Sequence, residues 1–79
     1  MMHYLITFAT TAQAIKAENI FLKNELKIKI RPLPNEISFG CGLSITFDDL
    51  TKVKAVIVAE KLKYDKIYII ENKEYREIS

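Results

Sequence analysis

Phe21-Leu22-Lys23-Asn24-Glu25-Leu26-Lys27-Ile28-Lys29-Ile30-Arg31 is the stretch in which the periodicity of the chain changes. Up to Leu26 the apolar residues recur at helical spacing. Ala14, Ala17 and Phe21, joined by Ile15, Leu22 and Leu26, make one stripe, with Lys16, Glu18, Asn19 and Lys23 on the other face. From Lys27 the period is two: Ile28 and Ile30 alternate with Lys27, Lys29 and Arg31, as in a strand with one buried and one wet face. A helix therefore runs almost directly into a strand, and the rest of the chain can be placed around that junction.

Toward the N-terminus, residues 3–9 are rich in β-branched and aromatic types and apolar on both parities, as expected of a central strand. Thr10 followed by Gln13 is a capping-box signature that starts the helix. Toward the C-terminus, Leu43, Ile45 and Phe47 alternate with Ser44 and Thr46 in a third strand. Asp48 and Asp49 offer an N-cap to a second helix over 50–63, which buries Leu50, Val53, Val56 and Ile57 and carries Lys61 and Lys63 at its end. Residues 66–70 read as a fourth strand, and Asn72-Lys73 as a turn into a short last one over 74–78. The order βαββαβ predicts a single α+β domain over residues 1–79, a ferredoxin-like sandwich with both helices on one face of a four-stranded antiparallel sheet. Leu22, Ile28, Ile45, Val53 and Ile57 are expected in its shared core.

Composition narrows the function classes. A domain of 79 residues hides roughly 60% of the surface its unfolded chain exposes, so each apolar position matters. The longest apolar run, residues 55–59, is far short of a membrane span. One cysteine makes no internal disulfide, and with no basic leader before the first strand the expectation is a cytoplasmic protein. A net charge of +2 is too mild to imply nucleic acid, and the aromatic-rich RNA-binding strand motif is missing where Ser44 and Thr46 stand. His3 and Cys41 are too few ligands for zinc, so neither a metal nor another cofactor is expected.

The connection from Pro32 to Gly42 is long for this fold, which needs about 2–5 residues there. It holds both glycines (Gly40, Gly42), both prolines (Pro32, Pro34) and the sole cysteine, Cys41. The prolines stiffen its entry, and Ile37 and Phe39 are placed to tuck back onto the core. Glycines flanking Cys41 permit positive φ and let a partner approach the sulfur. Lys27, Lys29 and Arg31, one strand away, are expected to favour the thiolate. Against this stands the commoner fate of a free cysteine, which is to behave as a small buried hydrophobe. Cys41 shares the parity of Leu43, Ile45 and Phe47, and points at the core if the strand begins that early.

The segment Pro34-Asn35-Glu36-Ile37-Ser38-Phe39-Gly40-Cys41-Gly42-Leu43 resembles the signature of the putative Se/S carrier protein-like family of bacterial and archaeal domains. Tyr4 to Phe8, Thr10-Thr11-x-x-Ala14 and Ile67-Tyr68 fit the same resemblance. It implies a non-enzymatic carrier in which Cys41 bears sulfur or selenium as a persulfide or selenosulfide, with Pro34, Ser38, Gly40 and Gly42 forming the binding loop. Its partners would be sulfur or selenium donor and acceptor proteins, with a homodimer left open. Asn35 stands where the family pattern leads one to expect a basic residue, and Phe39-Gly40 replaces small hydroxyl residues. Two other classes compete: an interaction or regulatory module with an inert thiol, and a thiol enzyme whose base comes from another protein.

Overall fold

The computed structural model describes residues 2–34, 37 and 42–78. Their order is β1 (His3–Thr7), α1 (Thr11–Lys23), β2 (Ile28–Pro32), β3 (Leu43–Phe47), α2 (Leu50–Glu60), β4 (Ile67–Glu71) and β5 (Glu74–Glu77). The strands form one antiparallel sheet in the order β2-β3-β1-β4-β5. β1, apolar on both parities, takes the centre, and the short last strand adds a fifth member to the four expected.

Register decides which residues share a face. Ile6 lies opposite Ile45 in β3 and Ile67 in β4, and Ile28 opposite Phe47, so these side chains point the same way. Ile6, Phe8, Ile45, Phe47 and Ile67 form one buried cluster with Ala14, Ala17 and Phe21 of α1 and Val53 and Ile57 of α2. Both helices thus pack on one face of the sheet. Ile45, Val53 and Ile57 are buried as expected, and Ile28 packs against them half-buried. Leu22 departs from the expectation: it is 53% exposed, and Ile15 is 47% exposed. The reason is geometric. α1 packs against β3 and the edge strand β2, so its buried stripe is only Ala14-Ala17-Phe21, and among the described residues no further strand lies beyond β2 to cover the Ile15–Leu22 flank.

Capping follows the residues. The Thr10 hydroxyl accepts from the Gln13 N–H at 3.1 Å, and the Gln13 side chain returns to accept from the Ala9 N–H at 3.3 Å. Asp49, rather than Asp48, caps α2 by accepting from the Lys52 N–H at 3.0 Å. α2 ends three residues short of the expected 63. Lys61 turns left-handed at φ 52°, and Leu62 drops back into the core with its N–H on the Ile57 carbonyl. Asn72 and Lys73, at φ 49° and 64°, make the tight turn between β4 and β5.

Candidate functional site

The β2–β3 pair ends where the long connection begins. Pro32 was expected inside the loop but closes β2, paired with Leu43. An outer strand tolerates proline where its missing N–H would face solvent. One residue further, the Leu33 N–H donates to the Gly42 carbonyl at 2.8 Å, tying the two ends of the connection together. The Pro34 carbonyl then accepts from the Ile37 N–H at 2.9 Å, a turn immediately after the closure. Ile37 is buried but belongs to no part of the helix-side cluster. Gly42 adopts φ +79°, and a Cβ there would meet nothing within 4 Å. Glycine is required at this point by the backbone, not by space. Of the predicted loop residues, Pro34 and Gly42 are so placed. Ser38, Phe39, Gly40 and Cys41 lie outside the described residues.

The face without helices is not bare at its centre. Leu5, Thr7 and Ser44 have the parity opposite to the helix-packed residues and are nonetheless buried, Leu5 to 2% exposure. Ser44 was expected on a wet face. Its hydroxyl reaches the carbonyls of Arg31 at 3.3 Å and Pro32 at 3.4 Å, so its burial leaves no polar atom unsatisfied. Thr7 is satisfied likewise: its hydroxyl accepts from the Lys66 N–H at 3.2 Å.

Along β2 the same face carries Lys29 opposite Thr46 and Arg31 opposite Ser44. Arg31 is therefore nearest to the loop in register, and Lys27 lies just before β2, at the end away from the loop. Among the described residues none of the three forms an ion pair. The carboxylates of Asp48, Glu71 and Glu77 pair with His3, Arg76 and Lys66. A cavity of about 780 Å³ opens beside them, lined among others by His3, Lys29, Arg31, Thr46, Ile70 and Tyr75. The contact of His3 Nδ1 with Asp48 Oδ1 at 2.6 Å was not foreseen. Its signal in the sequence was the doublet Asp48-Asp49, of which one carboxylate can cap the helix and the other is left free. Among the described residues no group of three or more potential ligands could hold a metal ion.

Fold and site define a small α+β domain whose long connection leaves an edge strand, is closed at its base by a backbone hydrogen bond, and carries the chain's sole cysteine in its sequence. Comparison with known proteins is narrower: the chain belongs to the family described as "Putative Se/S carrier protein-like", which matches residues 3–69. That match runs from β1 through the whole connection and into β4, and leaves out the end of β4 and all of β5. No curated protein and no solved structure matches the chain.

Proposed function

We propose that the protein is a non-enzymatic carrier that holds sulfur or selenium on Cys41 and passes it between a donor and an acceptor protein. Family membership over residues 3–69 is the observation that carries this reading. The chemistry requires one nucleophilic sulfur and no second cysteine. The Cys41 thiolate attacks the outer sulfur of a donor persulfide, the donor's S–S bond breaks, and the donor leaves as a thiolate. The carried sulfur keeps its oxidation level, so no external oxidant or reductant is consumed. A perselenide donor would load selenium in the same way. Delivery repeats the step with the acceptor as nucleophile.

Several features support the assignment of roles. The Leu33–Gly42 closure and the left-handed Gly42 hold the base of the connection in one shape. Gly40, Ser38 and Pro34 would form the remainder of the binding loop around the thiol. Arg31, the cation nearest in register, would favour the thiolate. A lone thiol suits a reducing compartment, which supports action in the cytoplasm. No described helix is long and apolar enough to cross a membrane. The order β4-β1-β3-β2 supports a ferredoxin-like βαββαβ sandwich, to which β5 adds an outer strand.

Alkylation kinetics test the thiol. At neutral pH the native protein is expected to react faster than the same protein unfolded in denaturant. Slower reaction when folded would mark Cys41 as a desolvated core residue and leave the interaction-module reading in its place.

A further inference from the structure

β2 is the most open strand of the sheet, with four of its five residues exposed. One side pairs with β3 and the other has no partner among the described residues. Hydrogen-bonded pairs recur at every second residue of an antiparallel ladder. Since the Leu33 N–H bonds to Gly42, Arg31 and Lys29 also direct their backbone groups at β3. Ile28, Ile30 and Pro32 direct theirs outward. The edge thus offers the N–H groups and carbonyls of Ile28 and Ile30, and Pro32, which has no N–H and whose carbonyl accepts from the Ser44 hydroxyl at 3.4 Å, closes the series.

The two faces of this edge differ in chemistry. On one, Lys29 and Arg31 stand exposed and without an ion pair among the described residues. On the other, Ile30 is 37% exposed, and the uncovered Leu22 and Ile15 lie seven residues apart along one side of α1. The cavity beside the strand is lined on this side by Leu22, Leu26 and Ile28. A strand added here would meet cations with every second side chain and apolar surface with the others.

We propose that the β2 edge takes an extended segment of a partner protein in which acidic and apolar residues alternate, added antiparallel as a sixth strand. Backbone pairing supplies affinity, and the alternation supplies register and choice of partner. A second copy of this chain fits poorly. Its own exposed edge, Glu74-Tyr75-Arg76-Glu77, hydrogen-bonds to β4 through the parity of Glu74, Arg76 and Ile78, so its antiparallel addition to β2 would set Glu77 against the apolar side and Arg76 against the cations, and two β2 edges would oppose cations to cations. Because β2 leads straight into the connection that holds Cys41, the docked segment would bring its owner to the thiol. The inference rests on the carrier reading only in naming that owner as donor or acceptor.

The test uses Cys41→Ser protein, so that docking and loading are separate results. The probe is a peptide of about seven residues, a short strand's length, alternating Glu with Val and Ile. Saturable binding is expected, with the amide shifts of Ile28 and Ile30 the largest in the NMR spectrum. A peptide of equal charge N-methylated at the pairing positions is expected to bind at least about tenfold more weakly. The exposed double substitution Lys29→Glu/Arg31→Glu should weaken the unmodified peptide by a similar factor. Equal binding of the N-methylated peptide, shifts centred elsewhere, or no binding at all would overturn the proposal. So would light scattering showing that β2 is already occupied by a second copy.

Discussion

Phe21 and Leu22 are neighbours of similar hydropathy with opposite fates, and they separate what packing contributes from what composition contributes. Phe21 is fully buried between the helices and the sheet, so Phe21→Ala should cost about 3–5 kcal/mol. A domain of this size typically has about 3–5 kcal/mol to lose. Urea denaturation should therefore find Phe21→Ala largely unfolded, whereas Leu22→Ala should stay within about 0.5 kcal/mol of the native protein. A large loss at Leu22 would mean that its flank is covered in solution. The sequence did not distinguish the two, because a spacing of three to four residues defines a stripe but not its width. The width was set by β2 lying at the edge, a property of the whole sheet. Gly42 makes a second test at this scale. With φ at +79° and free space around the missing Cβ, Gly42→Ala should cost about 1–2 kcal/mol from the backbone alone. A larger loss would point to a steric role.

At the scale of elements, the β4–β5 hairpin is held by its turn and by two ion pairs, Arg76 with Glu71 and Lys66 with Glu77. Lys73 occupies a left-handed position, φ 64°, that glycine adopts more readily. Lys73→Gly should then stabilise the protein by roughly 0.5–1 kcal/mol in thermal or urea unfolding. Across the hairpin, Lys66 Nζ lies 3.3 Å from Glu77 Oε1. The hydrogen bond and charge of Glu77 raise the Lys66 pKa above its ordinary 10.5. A raised cationic pKa favours the folded state below the ordinary value, and that contribution disappears only as pH climbs through the raised one. Around neutral pH that contribution is therefore fully present and gives stability no dependence on pH, and NMR titration of Lys66 should show its midpoint falling in Glu77→Gln. An unchanged midpoint would mean that the pair does not persist in solution. Most elements were legible from their periods, and the Asn72-Lys73 turn from its residue types. The end of α2 was not, because Lys61-Leu62-Lys63 continues the helical pattern while the need to bury Leu62 turns the chain out of it.

Across the whole molecule, local periods placed two helices and the strands, and the shared apolar face placed both helices on one side. The buried centre of the opposite face was less accessible to such reasoning, since Thr7 and Ser44 read as polar until their backbone partners are known. The connection from Leu33 to Gly42 stood out by its length and by its collection of glycine, proline and cysteine. Its closure by one backbone hydrogen bond is a fact of register that no single residue announces. The central claim is that Cys41 carries the transferred atom, and intact-mass spectrometry tests it most directly. Protein freed of reductant is incubated with a persulfide donor and weighed beside Cys41→Ser. The carrier account predicts a gain of one sulfur atom that dithiothreitol removes, and no gain in the serine variant. Equal gains in both proteins, or none in the native one, would contradict it.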